Sequence, residues 1–173
     1  MTTRPLTKAV VAGNAAHAMV ELLAGVGMPG ASVTGPAPAA VGWAVGSGWL
    51  WRTAGRGRPR HDTALAVFAA LSLAAVTAHL TAWPRRRSRI GLPWLTDCEG
   101  LGPEFMPVYN PVLYATAAAA VGALLREVRS AHPVAPATAL FLVPLLQAVQ
   151  HSEHERLKQQ AAQQPSWWNR RLR

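Results

Sequence analysis

The chain holds one cysteine, Cys98, in 173 residues. An internal disulfide is therefore excluded, and a metal site based on cysteine is not expected. Charge is scarce too. Asp, Glu, Lys and Arg make up 14% of the residues, against about 25% in an ordinary soluble domain. Lysine is almost missing, with Lys8 and Lys158 the two examples. Nor do polar residues recur every three or four positions among the apolar ones, as a soluble helical bundle requires. Half of the chain is hydrophobic, gathered into blocks with charges between them, which is the pattern of a polytopic membrane protein. The net charge of +9 and pI near 11.4 do not point to nucleic acid. The basic residues cluster at 52–60, 85–89 and 169–173, beside apolar blocks, and no DNA or RNA recognition motif is present. Membrane lipid with anionic headgroups is the partner such clusters suit.

Five apolar blocks occupy residues 9–28, 37–51, 63–83, 108–125 and 134–150, with prolines at 29, 36, 38, 84, 107 and 133 marking their edges. The expected fold is all-α: one membrane domain over residues 1–173, a multi-pass bundle of five hydrophobic helices in the cell membrane. The block at 37–51 is short and glycine-rich. Four spans with this block re-entrant or interfacial form the alternative, and that arrangement satisfies the positive-inside rule better. In favour of five, Gly42 and Gly46 form a GxxxG pair suited to close helix packing, including packing between copies of the chain. Arg4 and Lys8 precede the first block as in a signal peptide, but the block is too long and too polar for one, so a retained helix is expected. Residues 84–107 form a long connection whose Trp, Leu, Phe and Met content suits packing on the membrane or over a cavity. Residues 151–173 form a polar, basic tail, helical to about 164 and then anchored at an interface by Trp167 and Trp168.

The first block carries the sharpest candidate site. Asn14, His17 and Glu21 are spaced i, i+3, i+7, so a helix presents them on one face. Ionisable groups at that depth cost roughly 2.5–3.5 kcal/mol each on insertion scales. Apolar surroundings favour the neutral form of a carboxyl. Such an acid can keep its proton at neutral pH and deliver it to an alkene, epoxide or carbonyl, while a histidine one turn away tunes it or takes the proton back. Hydrogen-bonding glue between helices is the plainer role for the same residues.

Further candidates are weaker. His79 ends the third block, with Ser72 and Trp83 on its face. Asn110 and Tyr114 share a face at the start of the fourth and can orient a substrate oxygen, whereas Tyr109 reads as part of an aromatic belt. Trp43 and Trp83 are candidate aromatic walls for a cationic intermediate. Gln147 shares a stripe with His151, His154 and Lys158. His151 and Glu155 repeat the HxxxE spacing of His17 and Glu21, so His17, Glu21, His151 and His154 form an alternative metal set for iron, copper or zinc. A haem held by His17 with His151 or His79 is a further variant. Asp97 and Glu99, which flank Cys98, read as a solvated loop.

The leading expectation is a cofactor-free membrane enzyme, an isomerase or cyclase for an isoprenoid-, sterol- or polyketide-like substrate, with Glu21, His17 and Asn14 as the catalytic residues. His79, Asn110, Tyr114, Trp43, Gln147 and Trp83 are the candidate substrate contacts. The HxxxE spacing of His17 and Glu21 is similar to that used by membrane sterol isomerases of the emopamil-binding type, a likeness of chemistry that covers two residues. The alternatives are a membrane metal or haem protein, and a small transporter or accessory subunit. They differ in what they demand. An enzyme needs Glu21 in a closed apolar pocket, a metal protein needs two histidines converging on it, and a subunit needs the polar face outside.

Overall fold

The structure is a computed structural model that describes residues 3–128, 131 and 133–172; Arg173, the end of the last basic cluster, lies outside the described residues. Prolines and glycines set the helix limits. Pro5 opens α1 (Pro5–Ala24), and Gly25 closes it at φ 82° with its N–H on the carbonyls of Glu21 and Leu22. The short α2 (Ala31–Thr34) leads to α3 (Pro36–Arg56), which a proline again opens and the left-handed Gly57 closes. A turn of 3-10 helix at Pro59–His61 starts α4 (Asp62–Ala82). An antiparallel hairpin follows, β1 (Arg85–Arg87) against β2 (Pro93–Leu95), with Arg86 opposite Trp94. The chain then forms α5 (Met106–Arg126), α6 (Val134–Leu140) and α7 (Val143–Gln163).

The chain is thus mostly helical. The block at 37–51 lies within α3, whose 21 residues extend past the apolar stretch through Arg52 and Arg56. Two expectations need correction. The connection 84–107 contains two strands, so the fold is not purely α. The block at 134–150 is two helices, broken around Phe141 and Leu142, and the second continues through the polar residues to Gln163. Two helical segments, Pro59–Ala82 and Met106–Arg126, are long and apolar enough to cross a membrane.

α4 lies at the centre, packed on α1, α5, α6 and α7. Its buried positions include Ala66, Ala69, Ala70, Ala74 and Ala78, and alanine allows the helix backbones to approach closely. α1 lies against α5 just as tightly: a side chain at Gly13 would strike Thr116, and one at Gly122 would meet Leu6. Glu127, past the end of α5, caps α1. Its carboxylate accepts from the backbone N–H groups of Leu6 and Thr7, both at 2.7 Å, and from the Thr7 hydroxyl at 2.8 Å. Two orphan donors are satisfied, with a negative charge at the positive end of the helix dipole. Beside it, Arg4 forms a buried ion pair with Asp62 and donates to the Arg58 carbonyl at 3.0 Å.

The tail folds back rather than trailing away. Gly27 N–H donates to the Trp168 carbonyl at 2.8 Å, Arg171 N–H donates to the Gly25 carbonyl at 3.0 Å, and Leu172 is buried. Trp167 is exposed, as an interface anchor would be, while Trp168 packs on the core. These contacts hold the end of α1 just beyond Glu21. A side chain on Gly25 or Gly27, both at positive φ, would also collide with Arg170 or Leu157.

Candidate functional site

Each long helix except α5 contributes to the walls of one cavity of about 430 Å³. From α1 come Asn14, His17 and Glu21, from α3 Trp43, from α4 Ala75 and His79, from α7 Leu146, Val149, Gln150, His154 and Leu157, and from the long connection Glu99. Val26, Met28 and Val33 add apolar wall, and Glu153 and Arg156 of α7 add charge.

Glu21 is 1% exposed. His17 Nε2 lies 2.7 Å from Glu21 Oε1, as the i, i+4 spacing on α1 requires. The Tyr109 hydroxyl, delivered by the first turn of α5, donates to the same carboxyl oxygen at 2.7 Å and lies 2.7 Å from His17 Nε2. Three titratable atoms therefore form a closed triangle, and a proton on any one of them has two acceptors within reach. Asn14 sits further along the same face and donates to the Ser72 hydroxyl at 2.8 Å, tying α1 to α4.

His79 stands edge-on to His17, with ring centroids 4.8 Å apart. Its Nδ1 lies 2.8 Å from the Ala75 carbonyl, so the Nδ1–H donates there. The Gln150 amide nitrogen is also 2.8 Å from Nδ1. Two donors do not face each other, and Gln150 Oε1 has no other partner, so the amide is better satisfied with its oxygen toward the ring. His79 Nε2 is buried without a hydrogen bond and lies 3.5 Å from Glu99 Oε1.

Glu99 reaches the cavity by way of a tight turn. Cys98 and Leu101 pair as a two-residue β-bridge, and the turn residues Glu99 and Gly100 have φ of 54° and 86°. Positive φ at both positions is the requirement of a type I′ turn. Glycine meets it freely, whereas glutamate is strained there. A side chain at Gly100 would also strike Leu172. Burial, followed by the neighbouring Glu21 carboxyl, pushes the Glu99 carboxyl up to about 8, although His79 and His17 oppose the shift. Burial, followed by Glu99 and Glu21, likewise lifts the Cys98 thiol well above its usual range.

Asn14, His17, Glu21, His79 and Trp43 thus converge on one cavity, and the remaining candidate substrate contacts do not line it. Asn110 is fully buried and pins the loop, accepting from Leu95 N–H at 2.9 Å and donating to the Leu95 and Met106 carbonyls at 3.1 Å. The Tyr114 hydroxyl is bonded to the Pro93 carbonyl. Gln147 faces outward and donates to the Thr81 hydroxyl at 2.7 Å, leaving Gln150 as the cavity glutamine. Trp83 packs its ring edge-on against His151 and His154. Of the alternative metal set, His154 lines the cavity and His151 is exposed. Instead, among the described residues, His17 and Glu21 group with His79, and His79 groups with Cys98 and Glu99, the candidate ligand atoms of each trio lying within 4.8 Å of one another.

Tyr109 and Glu99 are functional candidates that sequence reasoning assigned elsewhere, and Cys98, set aside there as a metal ligand, stands beside His79 and Glu99. Tyr109 looks like a belt residue because it opens an apolar helix, and nothing local shows that α5 lies against α1. Glu99 had a usable signal: a connection rich in Trp, Leu, Phe and Met buries itself, and an acid within it is carried inside. Compared with known proteins, the chain matches no family model, no curated protein and no solved structure.

Proposed function

We propose that the chain is a small multi-pass membrane enzyme that moves protons on a lipophilic substrate, isomerising or cyclising an isoprenoid-, sterol- or polyketide-like molecule. The observation that carries this reading is the position of Glu21: buried, bonded to His17 and Tyr109, and at the wall of a cavity whose Val, Leu, Met and Trp lining is broken by polar groups, among them His79, Glu99, Glu153 and Arg156. Glu21 acts as the acid that protonates the substrate. His17 and Tyr109 relay the proton, Asn14 orients a polar group of the substrate, and Trp43 shields a cationic intermediate from water. Released negative charge on Glu21 is stabilised by the two donors already pointed at it.

A subunit reading requires the polar face of α1 on the outside, and that face points inward. A metal on His17, Glu21 and His79 is supported by their proximity. It is the weaker reading because His17 and Glu21 already satisfy each other and Tyr109.

The membrane assignment rests on the outer surface. On α3, Val41, Val45 and Trp49 are exposed at i, i+4, i+8, and Met19, Leu23, Val121 and Leu125 are exposed on α1 and α5, which suits lipid as their neighbour. The two segments long and apolar enough to cross, Pro59–Ala82 and Met106–Arg126, are each at least about 30 Å long, the thickness of a hydrocarbon core. Gly42 and Gly46 have no neighbour within 4 Å of where a side chain would start, leaving them open to a second copy of the chain.

The test is a screen of isoprenoid, sterol and polyketide lipophiles with the purified protein in lipid nanodiscs. Wild type should convert one class to an isomer of equal mass, and Glu21→Gln should lose that conversion while keeping its thermal midpoint. Equal turnover by the variant removes Glu21 from the chemistry.

A further inference from the structure

We propose that His79, Cys98 and Glu99 form a zinc site beside the Glu21 triangle. The candidate ligand atoms of these three residues lie within 4.8 Å of one another. Metal–ligand bonds of about 2.0–2.3 Å in a tetrahedron separate neighbouring ligands by about 3.3–3.8 Å. The His79 Nε2 to Glu99 Oε1 distance, 3.5 Å, already falls in that interval. The Cys98 sulfur lies within 4.8 Å of both, and its thiol donates to the Tyr109 hydroxyl at 3.8 Å, a contact the metal would replace.

His79 is set up as a ligand. Its Nδ1–H is committed to the Ala75 carbonyl at 2.8 Å, which fixes the tautomer and turns the Nε2 lone pair toward the trio. Histidine ligands usually have such a backbone or carboxylate partner on the second nitrogen. Nε2 itself is buried, in a residue 4% exposed, and has no hydrogen bond. An orphaned buried nitrogen is costly unless something else occupies its lone pair.

The turn supplies the other two ligands. Cys98 and Glu99 are adjacent in sequence, and an extended strand would send them to opposite faces. The left-handed φ of 54° at Glu99 breaks that alternation and lets both converge on His79. A metal gives the strained backbone a purpose that a solvated loop lacks.

Charge decides between the two trios. Zinc with the Cys98 thiolate and the Glu99 carboxylate is electrically neutral, the thiol and carboxyl protons of Cys98 and Glu99 both being released to solvent on binding. Zinc with His17, Glu21 and His79 would have one ligand charge rather than two, and would need Glu99, 3.5 Å from His79, beside it as a counter-ion. It would also displace Tyr109, whose hydroxyl donates to Glu21. Nitrogen, sulfur and oxygen ligands suit zinc, and three protein ligands leave a fourth position open. His79 and Glu99 both line the cavity, so a substrate held there would reach that position. A zinc ion there would act as a Lewis acid on a substrate oxygen next to the acid–base groups. The site itself does not depend on that reading of Glu21.

Elemental analysis of protein purified without a histidine tag or chelator tests the site. Stoichiometric zinc is expected, lost in His79→Ala and Cys98→Ser and kept in His151→Ala. Cobalt substitution of the wild-type protein supplies a second readout should a variant fail to fold. Cys98 is the one cysteine of the chain, so a thiolate-to-cobalt charge-transfer band can come from no other residue. Absence of that band, zinc content unchanged in both ligand variants, or stoichiometric iron or copper in place of zinc overturns the assignment.

Discussion

Glu99 combines a left-handed backbone at φ 54° with a carboxyl pushed up to about 8 from its ordinary 4.5. Both are costs to the fold, and both have consequences that can be measured. The groups facing it are Glu21 and His17 of α1, His79 of α4 and Cys98 of its own turn. Because its folded value is raised, the protonated form favours the fold. In metal-free protein its contribution to stability is fully present below about pH 4.5 and is lost as the pH rises through about 8. Thermal unfolding in detergent should show that slope in the wild type and a shallower one in Glu99→Gln. Equal slopes would mean that Glu99 is not buried as described. Glu99→Gly should raise stability further, by about 1–3 kcal/mol, because glycine adopts positive φ without strain, and should abolish zinc binding. A gain in stability with a loss of function is the mark of a functional position. Among single residues, the His17–Glu21 pair was legible from spacing alone, because i, i+4 contacts are local. The partners of that pair were not, since Tyr109 is 88 residues from Glu21 and nothing in a sequence gives the register between two apolar helices.

At the level of elements, the close approach of α1 and α5 places Tyr109 on Glu21, and Gly13 makes it possible. A side chain at Gly13 would overlap the Thr116 hydroxyl and methyl. Gly13→Ala should therefore destabilise the protein by about 1–3 kcal/mol. Thr116→Ala, introduced with it, should recover much of the loss, since the atoms that clash belong to that side chain. A double-mutant cycle measures the coupling, and additive effects would contradict the packing described. Glu127 acts at the other end of α1. Glu127→Ala leaves the Leu6 and Thr7 N–H groups without their carboxylate and should cost about 1–2 kcal/mol. The helices were partly readable from proline punctuation: Pro36 opens α3, and Pro84 and Pro107 lie next to the limits of α4 and α5, whereas α1 starts at Pro5 and ends at Gly25 rather than at Pro29. The cap was not, because Glu127 is some 120 residues from the helix it serves. The hairpin of residues 85–95 was also hidden: its first strand is three exposed arginines, with neither alternation nor β-branched residues to signal it.

For the whole molecule, the described residues form a bundle with an inward polar cluster and with apolar side chains exposed on α1, α3 and α5. Composition made the helical character plain, since charge lies between the apolar blocks rather than within them. The cavity was not readable, because it needs α1, α3, α4, α7 and the Glu99 turn to meet. Under the membrane reading, the chain should remain in the bilayer after alkaline carbonate washing; release into the soluble fraction would count against it. The claim at the centre is that a lipophile exchanges a proton with Glu21 inside that cavity. Its most direct measurement is mass spectrometry of a converted lipophile after incubation in deuterium oxide with wild type and with Glu21→Gln. Deuterium in the product formed by wild type, and none formed by the variant, is the predicted result. A product formed without deuterium from solvent, or labelled equally by both proteins, would contradict it.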